Sequence, residues 1–386
     1  MRILSCVVSP GHGGGAENAA LELARAVHAR GHAVTLARMA VADGQHVNGI
    51  TIRDYRVKDA PLLPKPYSNV FSRSRIVDAI DPAAYDLVHL HNTHPAMALA
   101  QLARRCLRVG LPYVVTTHGL VETLNSRHIF RTNPLLGYVI GLTVDRPLKF
   151  VVRNAKKIAV LSMSEAPLLA GLGVDPKNIT PIYNGADPRF LLPYTASVDV
   201  RSRYHIPPGR HVALFVGNLK KNKGVEVLLQ AVAKVDDVTA VVVGAATQPG
   251  YEQSLRRQAA DLGIDERVVF AGRVSDEELM AWHHAATVFV LPTLGDTFPL
   301  VVLDAMAAGK PVVASAIGGI PEQIGDEAGL TVPPGDPTAL AAAIRTVVRD
   351  PALATRYGEA GRRRVEQRFT WARVAENVES VYTALL

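Results

Sequence analysis

The stretch from Pro292 to Glu322 constrains the fold more than any other, because it strings a strand end, a turn, a helix start and a second glycine turn together. The apolar run Val288 to Leu291 reads as a buried strand, closed by Leu291-Pro292. Gly295 and Asp296 follow as a loop. Pro299 suits the first position of a new helix, since its fixed φ is helical and its missing N–H is not needed there. Leu300, Val301, Leu303, Met306 and Ala307 then form a helix-period apolar stripe, ended by Gly309-Lys310-Pro311. At that helix start the amides of Leu300 and Val301 are free donors, the arrangement that binds a phosphate well. Asp296 stands before the helix and Asp304 about a turn and a half inside it, so both can face one small cavity. In outline this is a site for an anion and for hydroxyl groups.

The same alternation of strand and helix runs along the whole chain. Strands are predicted at Arg2 to Ser9, Ala33 to Ala37, Asp86 to Leu90, Pro112 to Thr117, Ile158 to Ser162 and Ile179 to Tyr183. A second set covers Val212 to Val216, Thr239 to Val243 and Val268 to Phe270, with a short strand region at Gly325 to Val332. Helical patterns separate them, among them Pro95 to Arg108 and Gln253 to Leu262, which is the signature of an α/β fold with parallel sheets. At 386 residues the chain fits two domains of ordinary size. Leu191 to Pro208, with three prolines, reads as the linker and the second domain's entry. The domains are therefore predicted as 1–190 and 206–369, with a last helix from Thr370 to Leu386.

Composition excludes several classes. Nearly half the residues are apolar, so disorder is not expected. Cys6 and Cys106 form no disulfide or metal pattern and read as small buried hydrophobes in a reducing compartment. The first apolar run is too short for a signal peptide, and no stretch is long enough to cross a bilayer, which predicts a cytoplasmic protein. Net charge is +7, yet no nucleic-acid motif with aromatic interleaving accompanies it, so nucleic acid is not an expected partner.

Several stretches carry chemistry. The first turn, Pro10 to Glu17, contains Gly11-x-Gly13-x-x-Ala16, which fits the dinucleotide fingerprint; a lone fingerprint is weak. Arg38, where that fingerprint wants an acid, would suit only a cofactor with a 2′-phosphate. His89, His91 and His94 invite a metal reading, but no carboxylate or cysteine completes the set, and a structural role or an acceptor contact fits better. His118 follows Thr116-Thr117 at a strand's carboxyl end, where open α/β sheets place ligands. Asn125 to Lys157 mixes apolar and basic residues with a single acid, Asp145. It reads either as a surface for an anionic membrane or an anionic acceptor, or as a packed helix with a solvated basic face. In the second half, Gly217-Asn218-Leu219-Lys220-Lys221-Asn222-Lys223-Gly224 is a lysine-rich strand-to-helix loop suited to cradling a diphosphate.

These motifs, in this order, resemble the family 4 glycosyltransferases over nearly the whole chain. The family pattern of two glutamates separated by seven residues, Ala-Met-Ala-x-Gly-x-Pro-Val and Gly-Gly-x-x-Glu has its counterpart in Asp296, Asp304, Ala305 to Val312 and Gly318-Gly319-Ile320-Pro321-Glu322. Both glutamates are aspartates here, shorter in reach by about 1.5 Å, and Pro299 replaces a usual glycine. Gly14-Gly15-Ala16-Glu17 matches the family's Gly-Gly-x-Glu, and Asn184-Gly185-Ala186-Asp187 its Asn-Gly-x-Asp. Lys223 matches the family's phosphate lysine, whereas Asn218 stands where an arginine is usual.

The resemblance implies the GT-B fold: two Rossmann-like doubly wound domains facing across a cleft, with the C-terminal helix crossing back to the first. It implies a retaining, metal-independent transfer of a hexose-type sugar from a UDP- or GDP-linked donor, with no further cofactor. The acceptor would be a hydroxyl of a glycan, a lipid-linked glycan or a secondary metabolite. No Asp-x-Asp motif occurs, in keeping with that fold. His118, Asp296, Lys223 and Glu17 are the implied catalytic residues. Donor contacts are implied for Gly14, Gly15, Asn218, Lys223, Val274, Thr297, Phe298, Pro299, Leu300, Val301 and Asp304. Two other readings stay open: a non-catalytic nucleotide-sugar-binding subunit, and an NADP-dependent oxidoreductase, which leaves the second half unexplained.

Overall fold

Strands such as VTAVVV at Val238–Val243 are buried along their whole length, which requires cover on both faces of the sheet they join. The computed structural model describes residues 1–8, 15–40, 49–58, 73–92, 94–120, 138–195 and 198–386. They form two compact units, Met1–Asn184 with Trp371–Leu386, and Gly185–Thr370.

In the first unit the strands are β1 (Arg2–Val7), β2 (Ala33–Ala40), β3 (Thr51–Lys58), β4 (Arg73–Ser74), β5 (Leu87–His91), β6 (Tyr113–Thr117), β7 (Lys157–Val160) and β8 (Ile179–Pro181). They pair in the order β4-β3-β2-β1-β5-β6-β7-β8, parallel except for the short antiparallel β3–β4 edge. Alternate residues feed opposite layers, as the period of two requires. Leu4, Cys6, Val88 and Leu90 enter one core, with the helices Ala96–Val109 and Arg146–Asn154. Ile3, Val7, Leu36 and Leu87 enter the other, with Leu23 and Val27 of the helix Gly15–Ala29. Val374, Ala375, Val378 and Tyr382 of the last helix, Trp371–Thr383, complete that second layer.

In the second unit β9 (His211–Val216), β10 (Val238–Val243), β11 (Val268–Gly272), β12 (Val288–Leu291), β13 (Val312–Ser315) and β14 (Gly329–Val332) form a wholly parallel sheet ordered β11-β10-β9-β12-β13-β14. Strand order reverses between β9 and β12, and in the first unit between β1 and β5. Ligands of doubly wound sheets sit beside the carboxyl ends at such a reversal.

Three local expectations change. Pro299 is not the first helical residue: it caps the helix Leu300–Ala307 in an extended conformation, ψ 122°. The strand β3 and its partner β4 are additions, since no clear alternation marks them. Between β13 and β14 lies the short helix Ile320–Ile324, so the strand begins only at Gly329. Among the described residues no helix is long and apolar enough to cross a membrane.

Candidate functional site

The loops that leave β9 and β12 meet at the reversal of the second sheet. Gly224 takes φ +69°, and a Cβ there would lie 2.0 Å from the carbonyl oxygen of Pro292, so the two loops touch backbone to backbone. Asn222 laces them further. Its carbonyl accepts from Leu294 N at 2.7 Å and from Thr293 Oγ1 at 2.9 Å, and its side-chain amide donates to Gly295 O at 3.1 Å. This lacing aims Lys223 at Asp296, with Nζ donating to Oδ1 at 2.5 Å. The two residues that the sequence assigns to phosphate and to sugar are thus each other's partner. Asp296 Oδ2 and Thr297 Oγ1 are buried without a partner among the described residues. Buried oxygens of this kind cost free energy until a donor reaches them.

The glycine turn after β13 packs beneath. A Cβ on Gly318 would lie 2.1 Å from Asp296 O, and Gly319 N donates to Thr297 O at 2.7 Å. Gln323 donates to Pro299 O at 3.0 Å, and the ring of Phe298 meets Phe369 edge-on. No side chain caps the helix Leu300–Ala307, so the amides of Leu300 and Val301 keep no capping partner.

Asp304, in the second turn of that helix, accepts the N–H of Asp187 at 3.0 Å through Oδ1. The Asp187 carboxylate itself caps Arg189 N and holds the Arg189 guanidinium at 2.6 Å. Burial pushes the Asp304 carboxyl up to about 7, against the smaller downward pull of the Asp187 amide. Asn218 is exposed beyond β9, and Val274 follows β11 half-buried; neither is drawn into the Lys223–Asp296 contact.

In the first unit His118 follows β6, beside a small cavity of about 10 Å³ lined by Ala19, Leu23, His91, Thr116, Asn184 and Trp371. Desolvation lowers His118 to about 4, so its imidazole is neutral near pH 7. Glu17 lies in the first turn of the helix Gly15–Ala29, and its Oε1 accepts from Arg38 Nη1 at 3.0 Å. The same guanidinium grips Asp54 in a two-pronged contact at 2.8 and 2.9 Å. That removes Arg38 as a free partner for a cofactor's 2′-phosphate. Gly15 opens the helix; Gly11, Gly13 and Gly14 lie outside the described residues, as does the segment from Asn125 to Gly137.

The histidines of β5 are packed, not splayed toward an ion. His89 hydrogen-bonds Tyr382 at 2.5 Å and Thr116 at 2.6 Å, and its ring lies 4.0 Å from that of His91. Among the described residues no group of three or more His, Cys, Asp or Glu could hold a metal ion. Sequence reasoning missed Glu165, fully buried and accepting from Thr117 Oγ1 at 2.7 Å, and missed Gln323 and Asp187 as supports. A lone acid after the β7 strand, Ser162 to Glu165, was the only available signal.

Comparison with known proteins bears on what this geometry serves. The family model described as Glycosyltransferase Family 4 matches residues 13–190, and that described as Glycosyl transferases group 1 matches residues 199–364. The chain is 31% identical over 320 residues to the D-inositol 3-phosphate glycosyltransferase of Streptomyces avermitilis, covering 79% of this chain and 66% of that protein. It is 32% identical over 323 residues to the alpha-maltose-1-phosphate synthase of Mycobacterium tuberculosis, covering 80% of this chain and 81% of that one. Among solved structures, sucrose-phosphate synthase from Thermosynechococcus elongatus superimposes with a TM-score of 0.77 at 24% identity, over 100% of this chain and 99% of that one. Anabaena HepE in complex with UDP gives a TM-score of 0.78 at 22% identity over 100% of both chains.

Proposed function

The chain belongs to glycosyltransferase family 4, of the glycosyl transferases group 1, and from that premise we propose that it moves a hexose-type sugar from a UDP- or GDP-linked donor to an acceptor hydroxyl. The transfer retains anomeric configuration and needs no metal. The observation that carries this reading is the Lys223–Asp296 contact at the sheet reversal, set beside the uncapped amides of Leu300 and Val301. Departure of a nucleoside diphosphate builds negative charge on its oxygens, and a fixed cation with helix-start amides is what stabilises that charge. A lysine ammonium has three donors, so Lys223 can take a phosphate oxygen without releasing Asp296.

Within this reading Asp304 receives the ribose hydroxyls and Asp296 the transferred sugar, whose hydroxyls supply the donors that Asp296 Oδ2 and Thr297 Oγ1 lack. Phe298 and Pro299 shape the turn, Val274 meets the base through its backbone, and Asn218 adds an uncharged amide. His118 and Glu17, with Gly14 and Gly15, keep the role in transfer that the family resemblance implies, and the first unit binds the acceptor. A glycan, a lipid-linked glycan or a small metabolite would serve as acceptor; relatives named for inositol 3-phosphate and maltose 1-phosphate favour a small one. The exposed Arg146, Lys149 and Arg153 would set such a protein against an anionic membrane, which co-sedimentation with anionic vesicles tests.

A thermal-shift panel of UDP-, GDP-, ADP- and TDP-sugars tests the whole reading. One base should stand out, with a stabilisation of about 2.7 kcal/mol at a hundredfold excess over Kd. Asp304→Ala should abolish that shift, and His118→Ala should spare it while slowing transfer. A panel without any shift, or a shift indifferent to Asp304→Ala and Lys223→Ala alike, sinks the proposal.

A further inference from the structure

The end of β5 holds a buried polar group that the proposed reaction does not use. His91 is 1% exposed, its Nδ1 lies 3.4 Å from His118 Nε2, and its own Nε2 has no partner among the described residues. The ring is pinned from both sides: it stacks on His118 with centroids 5.7 Å apart and lies against His89 at 4.0 Å. His89 is fixed in turn by Tyr382 and Thr116, so the stack has no freedom to turn away.

We infer that His91 is a positioning residue that donates its Nδ1–H to His118 Nε2 and so holds His118 in the tautomer protonated at Nδ1. The inference rests on the reading of His118 as a residue that contacts the sugar.

The direction of that bond follows from the unpaired nitrogen. Burial lowers both rings far enough to keep them neutral near pH 7, so each carries one N–H and one lone pair. If His118 donated, His91 would have to carry its proton on Nε2, leaving an N–H in the interior with nothing to accept it. Orphaned buried N–H groups are the rarest unsatisfied groups in proteins, while unpaired acceptors are better tolerated. With His91 as donor, the orphan is only a lone pair. His118 then accepts inward through Nε2, and its Nδ1–H, bonded by no described residue, is left for a ligand. His118 thereby becomes a neutral hydrogen-bond donor to a sugar oxygen and not a base. A hydroxyl can rotate to suit either role, but a glycosidic or ring oxygen only accepts, so the tautomer decides which donor-sugar atom His118 can hold.

Histidine-selective ¹⁵N labelling of the full chain, read by two-bond ¹H–¹⁵N correlation near neutral pH, reports the tautomer directly; His118→Ala identifies the signal. The expected spectrum shows His118 protonated at Nδ1. His91→Leu should shift it toward the Nε2–H form that free imidazole side chains favour, and lower kcat about tenfold with the donor KM unchanged. His91→Asn, whose side-chain N–H falls near the position of Nδ1, should restore both. His118 found protonated at Nε2 in the parent protein, or a His91→Leu spectrum identical to the parent's, overturns the inference. Expected spectra together with full transfer by His118→Ala uphold the tautomer and remove His118 from the sugar site, so the two readings fail separately.

Discussion

Asp304→Asn offers the sharpest test of the site's electrostatics, because one substitution changes a charge and keeps a hydrogen bond. The asparagine oxygen can still accept the Asp187 N–H that Asp304 now takes at 3.0 Å. What it removes is a carboxyl that burial lifts from 3.8 to about 7. In the unfolded chain that carboxyl ionises near its ordinary value, so between about pH 4 and 7 the folded state binds the extra proton. Stability from this group is therefore complete below the unfolded pKa and is lost as pH rises through about 7. At roughly 1.4 kcal/mol per unit, the full span is about 4 kcal/mol, of which about 2–3 kcal/mol falls between pH 5 and 8. Each unit carries one of the two tryptophans, Trp282 in the second and Trp371 in the first. Urea unfolding in a Trp371→Phe background therefore follows the second unit alone through the fully buried Trp282. The parent should lose about 2–3 kcal/mol relative to Asp304→Asn across that range, ending less stable at pH 8. Nucleoside diphosphate, whose ribose hydroxyls donate to the ionised form, should bind the parent more tightly as pH passes 7, and the variant indifferently. A stability difference that does not change with pH, or one that grows in the parent's favour as pH rises, refutes the account of Asp304.

Other perturbations follow from neighbouring contacts. Lys223→Ala strands the Asp296 carboxylate, whose side chain is 12% exposed, and should cost about 2 kcal/mol by the same urea assay. Asp296→Asn on that background should recover most of it, and failure to recover means the pair is not coupled. Gly224→Ala forces a Cβ onto Pro292 O at a φ of +69° and should cost about 3 kcal/mol, whereas Gly171→Ala, with nothing within 4 Å, should be neutral. Arg38→Leu leaves Asp54, 4% exposed, without its partner and should cost about 3 kcal/mol. NADPH added to the parent should show no change in nicotinamide fluorescence; a clear change would restore a dinucleotide role for the first turn.

Much of this was visible in the residue order. Val288 to Glu322 declared its strand, helix and glycine turns, because helix and strand periods are local properties that short windows carry. Pro299 was misplaced by one residue, since Pro at the cap and Pro at the first helical turn differ only in ψ. What stayed hidden are partnerships between residues far apart in sequence. Nothing near Lys223 announces Asp296, 73 residues on, and nothing near Asp304 announces the Asp187 amide, 117 residues back. Arg38 read as a phosphate partner because Glu17 and Asp54 reach it only once β2 lies between β1 and β3. The histidines of β5 invited a metal reading beside the structural one for the same reason. Alternation put His89 and His91 on one face, but only packing shows Thr116, His118 and Tyr382 filling the space around them.

The placement of Trp371–Thr383 in the first unit also bears on how a ribosome delivers this protein. The first unit's sheet can be synthesised early, yet Val374, Ala375, Val378 and Tyr382 cover one of its faces. Those residues emerge only after the 186 residues of Gly185–Thr370, a delay of about 10–40 s at ~5–20 residues per second. Throughout that interval an apolar surface and the buried His89 wait uncovered on the nascent chain, which marks the amino-terminal half as the segment a holding chaperone would have to shield.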